Sequence, residues 1–266
     1  MLRTRVITAL VLASVTTTVV LFSPTWAVGW IIGIFWLGGT WEWAGLARLK
    51  GSARLGYLTV SGGLMLSMAY WGMGQNWVFP ITVIAITWWG LALCILAVYP
   101  FRIPLMLVGI AGPVALLPAW FLLTYLHGNL PQGPGLTMGI LLIVWAADVG
   151  AYFVGSSWGR VKLAPRVSPA KTWEGLIGGL LLVVVISYTS SRFLEIPSGS
   201  FIAISIVAAV SSVIGDLTVS IFKRNVSMKN SGRFLPGHGG ILDRIDSLVA
   251  AIPIFTLGLI VAGVPS

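Results

Sequence analysis

The sequence predicts an all-α fold, a polytopic transmembrane helical bundle of about nine spans with its N-terminus on the cytoplasmic side. Three observations predict it. Of 266 residues, 57% are hydrophobic and 9% charged, against about 25% charged in soluble chains. So little polar surface cannot cover an aqueous globule of this size, and the solvent must be lipid. Apolar windows also recur from end to end, and the Lys and Arg residues between them gather on one side.

The first window, residues 6–22, follows Arg3 and Arg5 as the apolar core of a signal peptide would. It ends in Ser23-Pro24-Thr25-Trp26, with no small-x-small cleavage site, which predicts an uncleaved first span. The windows that follow are 27–46, 56–73, 78–98, 105–126, 136–155, 175–191, 201–222 and 247–263. Each approaches the length needed to cross about 30 Å of hydrocarbon at about 1.5 Å per helical residue. Their many glycines suit close helix packing in lipid. No polar stretch is long enough for a separate soluble unit, so residues 1–266 form one membrane domain, with the chemistry expected in 136–250. Cys94, the sole cysteine, excludes an intrachain disulfide and reads as a buried structural thiol.

With the N-terminus inside, Arg3, Arg5, Arg48, Lys50, Arg54, Arg102, Arg160, Lys162, Arg166, Lys171, Lys223, Arg224, Lys229, Arg233 and Arg244 all fall on the cytoplasmic side, and Arg192 alone on the other. That asymmetry is the positive-inside pattern, and one missed span would invert every later loop. It also explains the net charge of +9 without nucleic acid as a partner. Two inside loops, 156–174 and 223–244, are longer and richer in charge than topology requires.

The chain has seven carboxylates: Glu42, Asp148, Glu174, Glu195, Asp216, Asp243 and Asp246. Asp148 and Asp216 fall within predicted spans, where a lone carboxylate costs about 3 kcal/mol and persists mainly beside protein, water or a cation. Pairing with a nearby Lys or Arg is the structural alternative. Asp243 and Asp246 stand three apart, on one helical face. Two like charges so close need a proton or a cation between them. Oxygen ligands without a Cys or His cluster favour a hard cation such as Mg²⁺, shared with substrate phosphates.

The run Pro236-Gly237-His238-Gly239-Gly240 allows backbone N–H groups to face a phosphate, although Gly-Pro clusters also make ordinary turns. Asp216, Ser220 and Lys223 follow i, i+4, i+7 spacing, which places an acid, a hydroxyl and a base on one stripe. Lys223, Arg224 and Lys229 could neutralise a triphosphate, and the positive-inside rule explains the same bases without a ligand. In the other loop, two prolines stiffen a segment bearing Lys162, Ser168, Lys171 and Glu174.

The stretch from Ser220 through Lys223-Arg224, Lys229-Asn230 and Pro236-Gly237-His238-Gly239-Gly240 to Asp243-Arg244-Ile245-Asp246 resembles the signature of phosphatidate cytidylyltransferases, also called CDP-diacylglycerol synthases. The Ser-Pro-x-Lys-Thr-x-Glu-Gly segment at Ser168 to Gly175, the Asp148-x-x-Ala-Tyr-x-x-Gly155 run and the Gly215-Asp216 pair are similar to the same family. The resemblance implies a bacterial inner-membrane enzyme, its active site on the cytoplasmic side, that joins CTP and phosphatidate into CDP-diacylglycerol and pyrophosphate among membrane lipids. It implies Mg²⁺ held by Asp216, Asp243 and Asp246, with a second cation such as K⁺ beside it. Lys223 and His238 join those aspartates as candidate catalytic residues. Candidate substrate contacts are Asp148, Lys162, Ser168, Lys171, Glu174, Ser220, Arg224, Lys229, Asn230, Gly237, Gly239, Gly240 and Arg244. The oligomeric state is open, with a homodimer among the alternatives.

One departure from the pattern matters: the family usually has Lys-Asp where this chain has Lys229-Asn230. Asparagine keeps an oxygen ligand and loses a charge, which leaves open a slower enzyme or a paralogue with an altered lipid substrate. A cation-coupled transporter using Asp148 and Asp216 is a different class of reading. It would place its acids near the bilayer midplane and show internal repeats, and the sequence displays neither.

Overall fold

The computed structural model describes residues 2–72, 75–232, 234 and 239–264. Each predicted window coincides with a helix: α1 Leu2–Phe22, α2 Thr25–Leu46, α3 Gly51–Gly72, α4 Gln75–Val98, α5 Leu105–Asn129, α6 Gly133–Trp158, α7 Trp173–Phe193, α8 Ser198–Asn225 and α10 Leu248–Val261, the last preceded by the single turn α9 Leu242–Ile245. Among the described residues, six segments are long and apolar enough to cross a membrane: Asn76–Val98, Leu105–Asn129, Gly133–Trp158, Trp173–Phe193, Ser198–Asn225 and Leu242–Val261. The sequence did not foretell a two-stranded antiparallel hairpin, β1 Lys162–Ala164 and β2 Ser168–Thr172, which pairs Lys162 with Thr172 and Ala164 with Ser168.

The core gathers on α5, α8 and α10, whose inward faces are almost fully buried, from Leu116, Phe121 and Leu126 to Phe222, Ala250 and Phe255. α4 is peripheral, and Cys94 on it is exposed, which corrects the expectation of a buried thiol. An apolar run reports an apolar environment, and for a helix at the lipid boundary that environment includes the outer surface.

Prolines inside these helices remove N–H donors and leave carbonyls one turn earlier without a helical partner, a serious loss where water is absent. Two of these carbonyls are met from other helices. Pro113 cannot serve Gly109 O, which accepts from the Tyr57 hydroxyl at 2.8 Å. Pro253 cannot serve Val249 O, which accepts from the Trp89 indole N–H at 3.1 Å. Each bond ties a peripheral helix to the core.

Small residues set the α6–α7 contact. A Cβ on Gly150 would lie 2.7 Å from Gly178 O, and one on Gly179 would lie 2.6 Å from Ala147 O. This close approach fixes the face of α6 that bears Asp148 relative to the hairpin leading into α7. Thr172 begins α7 from an extended conformation, its hydroxyl accepting from Gly175 N at 3.1 Å, as an N-cap does.

Candidate active site

A cavity of about 570 Å³ opens beside the C-terminal halves of α6 and α8 and the start of α10, with charged and polar groups along its wall. Asp148 enters it from α6, Asp216 and Lys223 from α8, Lys229 and Asn230 from the segment after α8, and Asp243, Arg244 and Asp246 from α9 and its junction with α10. Gly239 and Ser247 complete the wall. The acids expected to act together therefore share one cavity although the chain separates Asp148 from Asp246 by several helices.

Local sequence explains the convergence. Gly215, just before Asp216, lets α8 press directly on the α9–α10 junction, since a Cβ there would run into Asp246 O and come within 2.9 Å of Ala250 Cβ. Ser220, one turn beyond Asp216, donates to its Oδ1 at 3.3 Å, as the i, i+4 spacing requires. Lys223 reaches back from the last turn of α8 to Asp243 Oδ1 at 2.8 Å and Asp246 Oδ2 at 3.8 Å. Lys171, on β2, bridges to Asp216 Oδ2 at 2.6 Å. The hairpin is thereby joined to the cavity through one ion pair.

Asp243 also organises backbone. Its oxygens accept from Ser231 N at 3.1 and 3.3 Å and from Gly240 N at 3.0 Å, besides Lys223. Gly239 holds φ +81°, a left-handed conformation suited to glycine, and a Cβ there would sit 2.9 Å from Asp243 Oδ2.

Several expected residues take other places. Glu174 accepts from Val161 N at 3.1 and 3.2 Å and stitches the base of the hairpin. Lys162 and Ser168 lie on the hairpin strands, outside the cavity wall. Arg224 is exposed and donates to Met228 O at 2.9 Å, closing the C-terminus of α8. The N–H of Gly240 is donated to Asp243 Oδ2 at 3.0 Å. His238 and Gly237 lie outside the described residues.

Glu42, inside the apolar run of α2, is 2% exposed and accepts from Ser231 Oγ at 2.7 Å, Ile241 N at 3.1 Å and Leu242 N at 2.8 Å. Asn225 exchanges two 2.9 Å hydrogen bonds with the backbone of Ile103, docking the α4–α5 connection on the end of α8. Neither stood out in the sequence beyond a lone acid and a lone amide, because their partners lie more than a hundred residues away.

Among the described residues, no group of three or more His, Cys, Asp or Glu is set closely enough to hold a metal ion. The donor chemistry still fits a hard cation, since four carboxylates line one cavity and the positive charges now meeting Asp216 and Asp243 are lysine ammoniums.

An α-helical membrane protein with one acid- and lysine-lined cavity suits chemistry on a phosphate-bearing substrate, and comparison of the sequence with known families is consistent with that class. The pattern of the cytidylyltransferase family matches residues 3–261, and the chain belongs to that family. The phosphatidate cytidylyltransferase of Haemophilus influenzae is 35% identical over 96% of this chain and 98% of its own length. That of Pseudomonas aeruginosa is 38% identical over 99% of this chain and 98% of its own. The Brucella suis enzyme of the same name is 42% identical over 51% of this chain and 50% of its own.

Proposed function

We propose that the chain transfers the cytidylyl group of CTP to phosphatidate, giving CDP-diacylglycerol and pyrophosphate for phospholipid synthesis. The observation that carries this reading is the single cavity in which Asp148, Asp216, Asp243 and Asp246 meet Lys223, Lys229 and Arg244, supported by the near full-length similarity to enzymes of that name.

A phosphate oxygen of phosphatidate attacks the α-phosphorus of CTP. The bond to that oxygen forms as the bond from the α-phosphorus to the bridging oxygen of pyrophosphate breaks, and the electron pair leaves with pyrophosphate. The attacking phosphate monoester already carries an ionised oxygen near neutral pH, so no covalent intermediate or strong general base is needed. The work of the protein is positioning and charge compensation. Lys223 and Lys229 meet phosphate oxygens, Lys171 exchanges Asp216 for substrate, and Arg244 orients one substrate. Asp216, Asp243 and Asp246 are the residues that would hold Mg²⁺, which when bound neutralises nucleotide phosphate charge.

This reading places the protein in a bacterial inner membrane with nine spans, its N-terminus and cavity toward the cytoplasm. CTP then arrives from water and phosphatidate laterally from lipid. Purified protein given labelled CTP, phosphatidate and Mg²⁺ should release labelled CDP-diacylglycerol, and absence of product with all three present contradicts the assignment.

A second reading is favoured by one position. Asn230 lines the cavity itself, so the departure from the family's aspartate bears on rate or lipid choice.

A further inference from the structure

We infer that Glu42 is a positioning residue for the nucleotide, acting through the segment that carries Asn230 and Asp243. The inference rests on the assignment of CTP as the nucleotide substrate. Glu42 reaches out of α2 to both ends of the 231–242 segment. One end is Ser231, whose hydroxyl it receives, and the other is the Ile241 and Leu242 N–H pair. The same two ends are held on their other side by Asp243, which takes Ser231 N and Gly240 N. Ser231 thus gives its hydroxyl to one carboxylate and its N–H to the other.

The packing is built around this carboxylate. A Cβ on Gly232 would collide with Glu42 Oε1, and a Cβ on Gly240 would collide with Ser231 Oγ and Glu42 Oε2. Two glycines therefore flank a buried acid whose donors among the described residues, the Ser231 hydroxyl and two backbone N–H groups, are neutral, with no Lys or Arg of those residues in an ion pair with it. A buried carboxylate held only by neutral donors is costly unless those bonds are kept. Here the bonds hold Ser231 beside Asn230, and Ile241 and Leu242 between Gly239 and Asp243, with Asn230, Gly239 and Asp243 on the cavity wall. Oε2 accepts from two donors and Oε1 from one, so an amide in place of the acid must turn a donor toward a donor at one end.

The test is steady-state kinetics of Glu42→Gln and Glu42→Asp in purified full-length protein, with CTP and phosphatidate varied separately. Glu42→Gln should raise KM for CTP about tenfold, the size of one lost buried hydrogen bond, while KM for phosphatidate stays within about twofold. Glu42→Asp, which keeps both acceptors on a shorter arm, should fall between. A fall in turnover with both KM values unchanged is the mark of a merely structural acid and overturns the inference, as does an equal rise in both KM values or no change. If Glu42→Gln fails to accumulate, Ser231→Ala decides, since it removes one bond to Glu42 and keeps the N–H to Asp243; a selective rise in KM for CTP supports the inference and its absence overturns it. Wild-type protein inactive on CTP and phosphatidate would instead defeat the functional assignment itself.

Discussion

Lys171 and Asp216 form an ion pair at 2.6 Å that joins the β1–β2 hairpin to an acid inside a membrane-length helix. Their side chains are 24% and 27% exposed, so the pair contributes little to stability, on the order of 0–1 kcal/mol. Its importance lies with substrate, because Asp216 lines the cavity and phosphates bound there would compete for the ammonium. Lys171→Ala should therefore lower CDP-diacylglycerol formation by at least about tenfold, the value of one charged hydrogen bond, while thermal unfolding in detergent shifts little. Measuring both on one preparation separates the two effects.

Lys223 is a different case. It and Asp243 are 8% and 10% exposed, and the same ammonium lies 3.8 Å from Asp246. Removing one partner of a buried pair costs about 3–5 kcal/mol, because the other charge stays behind. Lys223→Met should lower the unfolding midpoint markedly as well as abolish activity. Adding Asp243→Asn to Lys223→Met should recover part of the lost stability and none of the lost activity, which thermal unfolding and a turnover assay would read together.

Trp89 answers the carbonyl that Pro253 leaves free. Trp89→Phe keeps an aromatic ring and removes the donor, stranding Val249 O. The cost should be about 1–2 kcal/mol, visible as a lower unfolding midpoint with kinetic constants near those of wild type. Pro253→Ala in the same background should restore most of the loss, because alanine at that position supplies the missing helical N–H.

Asn230→Asp tests the position at which the sequence analysis expects an aspartate. Asn230 borders the cavity with Asp243 and Lys229, so an added charge acts at the site itself. A gain in turnover of about tenfold or more, of order one charged contact, would mark the natural residue as limiting. Little change in turnover with an altered preference among phosphatidates would point to lipid selection.

Much of this architecture can be read from residues that act locally. Apolar length fixes helices, and each window from 6–22 to 247–263 meets one. Asp216, Ser220 and Lys223 share a stripe because i, i+4 spacing is local, and the Asp216–Ser220 bond follows. The hairpin was hidden because Ser168-Pro169-Ala170-Lys171-Thr172 has no apolar alternation; its pairing is stitched by Glu174 and leads into the Thr172 cap. Glu42 was hidden for the opposite reason. It sits between Trp41 and Trp43 with no local partner, and its donors lie 189 to 200 residues onward. At Gly240 the absence of a side chain lets the backbone pack against Glu42 and Ser231 and donate to Asp243, contacts that the glycine run alone does not disclose.

The most direct test compares formation of labelled CDP-diacylglycerol by purified wild-type protein, Asp216→Asn and Asp246→Asn, normalised to folded protein. Both substitutions keep size and remove charge at the wall where α8 meets the α9–α10 junction. The account predicts product from wild type and a loss of at least about a hundredfold in each variant, comparable to removing one preorganised charge from a reaction site. Turnover within about twofold of wild type in either variant would contradict it.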